Sequence, residues 1–134
     1  MQNVLNLKDA LPEARKLPGL HLIGDLFDCG CTRSRMTDPQ WLEAHCLELV
    51  RNAGLTAIAP LFYSFGDNAG VTGLVVLAES HLSVHTWPDE GYVTIDVYVC
   101  NYSSDNRGKA RELFDELVQT FSPRDPRIVS LNRA

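Results

Sequence analysis

YVTIDVYVC, residues 92–100, alternates apolar and polar side chains without a break. Val93, Ile95, Val97 and Val99 share one face, the period-two pattern of a half-buried strand. Immediately before it, Trp87-Pro88-Asp89-Glu90-Gly91 is turn chemistry. Residues 80–86 read as a less regular strand, and 71–78 (VTGLVVLA) as a nearly continuous apolar run, the mark of a buried strand. Gly66-Asp67-Asn68-Ala69-Gly70 is a further turn, and 56–65 a strand whose Pro60 marks an edge or a bulge. Downstream, 107–121 is an amphipathic helix on Ala110, Leu113, Phe114, Leu117 and Val118, stopped by Pro123 and followed by a short last strand over 127–131.

Upstream, 20–29 (LHLIGDLFDC) reads as the first strand and 30–36 as a loop. Asp38 before Pro39 is an N-cap followed by proline at the first helical position. Trp41, Leu42, His45, Leu49 and Val50 continue with helical spacing until Gly54. Residues 1–19 form a polar extension; LNLKDALPEARKL allows a short helical turn that Pro12 limits. Strands follow one another directly and helices are few. The expected fold is therefore α+β, a mostly antiparallel sheet backed by two helices, as one domain over 20–134.

The bulk properties exclude several classes. With 45% apolar and 22% charged residues among 134, disorder, collagen and coiled coil are excluded and a real core is expected. A net charge of −5 with no clustered basic run argues against nucleic acid as a partner. No run of 18 apolar residues predicts a membrane span, and the N-terminal stretch lacks the apolar region of a signal peptide. A cytosolic protein with four reduced cysteines is the expectation.

Functional side chains are densest in Glu79-Ser80-His81-Leu82-Ser83-Val84-His85-Thr86-Trp87-Pro88. Three readings of this cluster stand side by side. His81 and His85 share a strand face and could bind metal with Cys29 and Cys31, although a C-x-C with two histidines is a poor zinc pattern and no metal is expected. Ser80 with His81 or His85 and Asp96 or Glu79 could form a nucleophilic triad, but the G-x-S-x-G elbow is absent. Taken singly, each residue could also be an ordinary polar group of a strand or turn.

The string 78–88 (AESHLSVHTWP), followed by Gly91-Tyr92, Asp96-Val97 and Cys100, resembles the prokaryotic S-adenosylmethionine decarboxylase family. Gly70-Val71-Thr72-Gly73 and Leu26-Phe27-Asp28-Cys29 extend the resemblance over nearly the whole chain from Gly19. The resemblance implies a precursor that cuts itself between Glu79 and Ser80, turning Ser80 into a pyruvoyl group that forms a Schiff base with the substrate amine. It implies that His85 and Thr72 assist processing, that Cys100 donates the proton after CO₂ leaves, and that Phe65 stacks on adenine. It further implies a small amino-acid substrate, a role in spermidine synthesis and a homodimer whose paired protomers build the active sites.

Three positions depart from the family pattern. Thr72 replaces a usual serine, adding a methyl and restricting χ1. The turn 65–72 is one residue longer and carries Asp67. Asp89 stands where a ribose-binding glutamate is common. An added acid could instead pair with a cationic substrate, so L-ornithine or L-arginine is the alternative substrate on the same chemistry. A dimeric regulator that never cuts itself is the alternative of another class.

Overall fold

The computed structural model describes residues 17–101 and 104–134. The elements run β1 (Gly19–Cys29), α1 (Ser34–Thr37), α2 (Pro39–Asn52), β2 (Ala57–Ser64), β3 (Val71–Leu77), β4 (Ser80–Trp87), a single 3₁₀ turn (Pro88–Glu90), β5 (Tyr92–Val99), α3 (Arg107–Phe121) and β6 (Pro123–Arg133). The helical turn expected in LNLKDALPEARKL lies, except for Leu17, outside the described residues.

The strands form one sheet in the order β2-β3-β4-β5-β1-β6. Every neighbouring pair is antiparallel. Val93, Ile95, Val97 and Val99 are buried as their alternation requires, together with Leu82 and Val84 from β4 and Leu20, Leu22 and Leu26 from β1. Helix α2 packs on β2 and β3, and α3 on β1 and β5, so both long helices cover the same sheet face. Leu42, Cys46, Val50, Leu113, Phe114, Leu117 and Phe121 complete that core. This is the expected α+β architecture of an antiparallel sheet backed by two helices, with a four-residue third helix added.

Asp38 caps α2 by accepting hydrogen bonds from the Gln40 and Trp41 backbone N–H groups. Helix α3 has the expected limits, 107–121. Pro60 lies on edge strand β2, with the bulge between Ala57 and Ala59. The stretch expected as a loop, 30–36, contains the start of α1. Buried Met36 pulls that turn inward, and its carbonyl accepts from Thr86 Oγ1 at 2.6 Å. The last strand is 11 residues rather than the short piece expected, because β6 pairs along nearly all of β1.

β3 is the instructive difference. Its apolar run suggested burial on both sides, yet only Val71, Gly73, Val75 and Leu77 are buried. Leu74 and Val76 point to the opposite face, where Leu61, Tyr63, Val129 and Leu131 are also exposed. One face of the sheet is thus packed by helices and the other is open and partly apolar.

His45 bridges α2 and α3, stacking on Trp41 with its Nε2 2.8 Å from Thr120 Oγ1. Burial, then the nearby Arg35 charge, lowers its pKa below the ordinary 6.5. A histidine with a lowered folded pKa contributes stability above its unfolded pKa and loses it as pH falls through 6.5 toward the folded value. A His45→Gln variant should therefore show a shallower loss of melting temperature than the wild type when pH falls from about 7 to about 5. Identical slopes would remove His45 from the acid response.

Candidate active site

β3 and β4 are joined by only Ala78 and Glu79, with Leu77 opposite Ser80. Neither turn residue has a positive φ, so this link departs from the mirror-image turns that two-residue hairpins favour. The Glu79–Ser80 peptide sits at this corner. Its carbonyl, Glu79 O, accepts a hydrogen bond from the Cys100 backbone N–H at 2.8 Å. The Glu79 carboxylate is turned aside, its Oε1 accepting from the Thr56 N–H at 3.0 Å. Ser80 lies opposite Val99 across β4 and β5, which brings Cys100 beside the corner.

Two buried asparagines hold the Cys100 segment. Asn106 Nδ2 donates to the Cys100 carbonyl at 2.9 Å, while Asn101 Oδ1 accepts from the Asn106 N–H at 2.9 Å. Asn101 also donates to the Leu17 and Pro18 carbonyls. Nothing in the sequence pattern singled out these asparagines.

Thr72 and His85 meet at the other end of the hairpin. They are directly cross-strand, and Thr72 Oγ1 is 2.5 Å from His85 Nδ1. They line a cavity of about 370 Å³ with Phe65, Trp87, Pro88 and Asp89. Phe65 is exposed and meets Tyr63 edge-on at 5.1 Å, whereas Trp87 stacks on Tyr92 at 5.1 Å. One glycine permits this wall: a Cβ on Gly70 would lie 2.3 Å from the Thr86 carbonyl oxygen.

Arg33, passed over in the sequence, ties the rim together. Its guanidinium donates to Asn68 Oδ1 at 2.9 Å, to the Asn68 carbonyl at 3.1 Å and to Asp89 Oδ1 at 2.7 Å. Asp89 lines the cavity but already has a cationic partner within the chain. Asp67 lies on the adjoining turn and is not a lining residue.

The sequence-derived residues thus fall into two groups. Glu79, Ser80 and Cys100 occupy one end of β4; Phe65, Thr72, His85 and Asp89 occupy the other. Ser80 and His85 are five steps apart along β4, a span of roughly 16 Å. A triad through Ser80 is not assembled. Asp96 engages Ser83, His21 and His81, and Glu79 engages Thr56. Nor is the metal grouping of His81 and His85 with Cys29 and Cys31. His85 bonds to Thr72, His81 bonds to Asp96, and Cys29 Sγ donates to the Leu26 carbonyl. Burial pushes the Cys29 thiol up to about 11 and Cys46 up to about 12, keeping both protonated.

The family model described as S-adenosylmethionine decarboxylase matches residues 20–134. A curated relative from Pseudomonas paraeruginosa, an S-adenosylmethionine decarboxylase proenzyme, is 42% identical over 99 residues, covering 74% of this chain and 60% of the relative. The chain therefore spans less than two-thirds of that protein's length. A proenzyme of the same description from Pyrobaculum arsenaticum is 37% identical over 110 residues, with 82% of this chain and 83% of the relative covered. The crystal structure of the adenosylmethionine decarboxylase from Aquifex aeolicus superposes with a TM-score of 0.77 at 31% identity, covering 88% of this chain and 92% of that one. By sequence and by fold, the chain belongs to the S-adenosylmethionine decarboxylase family.

Proposed function

We propose that the chain is the precursor of a pyruvoyl-dependent decarboxylase that cleaves itself between Glu79 and Ser80 and acts on S-adenosylmethionine for spermidine synthesis. The observation that carries this reading is the Glu79–Ser80 peptide itself, held at a two-residue corner with its carbonyl oxygen on the Cys100 N–H. That hydrogen bond draws charge toward the oxygen, as a donor to a tetrahedral oxyanion must. The Ser80 hydroxyl attacks the Glu79 carbonyl carbon, the peptide C–N bond breaks and an ester forms. Removal of the Ser80 α-proton then expels the Glu79 carboxylate. The dehydroalanine left on residue 80 tautomerises and loses ammonia to water, leaving a pyruvoyl group. The residues at this corner fit that group, since Cys100 stands beside it and the Glu79 carboxylate is turned aside onto the Thr56 N–H.

When formed, the pyruvoyl ketone supplies an electron sink conjugated to the substrate amine. Cys100 returns a proton to the carbon that has lost CO₂. Phe65 offers an exposed aromatic face to the adenine, and Trp87 and His85 bound the same cavity.

The pocket and the pyruvoyl corner of one chain lie at opposite ends of β4, so a second copy is required to join them. The open sheet face supplies the docking surface, for Leu61, Leu74, Val76, Val129 and Leu131 are exposed on it. Two sheets packed face to face, with strands opposed, set the Ser80 and Cys100 of one protomer against the Thr72, His85 and Phe65 of its partner. His85 then assists the cleavage of the other protomer's chain. The proposed homodimer thus has two sites, each shared, and native mass should be twice that of one chain.

The ornithine or arginine alternative needs a free carboxylate in the pocket. Asp89 is engaged by Arg33 and Asp67 lies outside the lining, but Glu90 lines the cavity as well, so the adenosyl substrate is favoured by the exposed Phe65 ring and not by a lack of carboxylates. The deciding assay follows CO₂ release from carboxyl-labelled S-adenosylmethionine, ornithine and arginine side by side. Release from the first alone is expected. Phe65→Ala should raise KM for it by the equivalent of about 1–3 kcal/mol, the scale of base–aromatic stacking. Efficient release from ornithine or arginine with none from S-adenosylmethionine would overturn the substrate while leaving the cofactor chemistry standing.

A further inference from the structure

His21 on β1, His81 on β4 and Asp96 on β5 meet at the middle of the open sheet face. His21 and His81 flank Tyr98 on its two sides, opposite it in both registers. Their Nε2 atoms converge on one carboxylate oxygen: His21 Nε2 is 2.7 Å and His81 Nε2 is 3.3 Å from Asp96 Oδ2. All three donor atoms lie within 4.8 Å of one another. A cavity of about 260 Å³ adjoins them, lined by His21, Asp25, Ser83, Thr94 and Asp96.

We propose that His21, His81 and Asp96 form a binding site for a zinc-class divalent transition metal. Two imidazole nitrogens and one carboxylate oxygen are the borderline donors that zinc, cobalt and nickel prefer over magnesium or calcium. With metal–ligand bonds near 2.0–2.1 Å, neighbouring donors of a tetrahedral site stand about 3.3 Å apart. The His81–Asp96 separation already has that value, and the His21–Asp96 separation must open by only about 0.6 Å. Ser83 donates to the other oxygen, Asp96 Oδ1, which fixes the carboxylate as an outer-shell partner should. The adjoining cavity leaves the fourth position to water or to a group of the facing protomer.

On binding, each neutral imidazole moves its proton from Nε2 to Nδ1, and no oxidant or co-reactant is needed. One residue opposes this. Arg133 Nη1 lies 3.4 Å from His21 Nδ1, where it places a positive charge and a donor against the nitrogen that must become protonated. Arg133 also lies over the Tyr98 ring and is otherwise solvent-exposed, so it can withdraw. If the chain cleaves as proposed above, the site joins the two products: His21 belongs to residues 1–79, while His81 and Asp96 belong to residues 80–134. His81 would be the second residue of the shorter chain, so the ion would anchor the end that carries the pyruvoyl group.

The test is a Co²⁺ titration of purified, chelator-stripped protein, read by visible absorption and calorimetry. One saturable equivalent per chain is expected, with the bands of a four-coordinate nitrogen–oxygen site and no thiolate charge-transfer band. Asp96→Asn and His81→Gln should weaken binding by more than the roughly 10–100-fold that loss of an outer-shell partner costs. Arg133→Gln should tighten it, which a purely structural hydrogen-bond network would not produce. Should the ligand variants fail to fold, wild-type protein provides the second reading: Co²⁺ should shift the imidazole NMR signals of His21 and His81 far more than those of His85. Absence of saturable binding, a thiolate band pointing to Cys29 and Cys31, or affinity unchanged in Asp96→Asn would overturn the site. Because binding is read directly, its failure is distinct from failure to cleave or to decarboxylate.

Discussion

A Ser80→Ala variant is expected to fold, remain a single chain and release no CO₂. Ser80 is half-buried at a hairpin corner, and its replacement removes one oxygen with little lost packing. That oxygen is nonetheless the only group proposed to attack the Glu79 carbonyl. The Cys100 N–H and the Thr72–His85 pair remain in place but have nothing to activate, so the cofactor never forms and activity falls to background. The readout is a denaturing gel alongside the labelled-CO₂ assay. A Ser80→Ala chain that still divides at 79–80 would move the chemistry to another nucleophile.

Cys100→Ala separates processing from turnover. The interaction with Glu79 runs through the backbone N–H of residue 100, which alanine keeps. The variant should therefore cleave normally. Its turnover should fall by roughly 10²–10⁴, the contribution of a positioned general acid, because the thiol is the proposed proton donor. Products of misplaced protonation, including transamination of the cofactor, should rise. Loss of cleavage would show that the side chain itself orders the corner. Unchanged turnover in a fully cleaved variant would return Cys100 to a packing role.

Much of the fold was legible in local pattern. The alternation in β5, the Asp38-Pro39 start of α2 and the apolar stripe of α3 each carry their own period, so little tertiary information was needed. What escaped depended on partners distant in sequence. α1 forms because Met36 is buried and held by Thr86, 50 residues away. The full length of β6 follows from its pairing with β1, which no local signal in a polar, proline-bearing stretch announces. The Ala78-Glu79 corner lacks glycine, asparagine and proline, so no turn signal marks it and Ala78 reads as the end of the preceding strand.

The site divides in the same way. The family resemblance groups Glu79, Ser80, His85 and Cys100, yet no string could place Ser80 and His85 at opposite ends of one strand. Arg33 is an ordinary loop arginine until the fold brings Asn68 and Asp89 to it. His21 carried no assigned task, and only the β1–β5–β4 adjacency sets it beside His81 and Asp96. The nearly continuous apolar run of β3 reads as a buried strand. The helices bury one side, and in the proposed dimer the partner sheet buries the other.

The intact mass of the purified wild-type protein under denaturing conditions tests the central claim most directly. Two species are expected, residues 1–79 and residues 80–134. The shorter should be lighter, by one ammonia, than the same chain beginning with serine, and resistant to stepwise N-terminal degradation. A single uncut chain after prolonged incubation at neutral pH would contradict the self-processing enzyme and favour a regulator that keeps the fold without the chemistry.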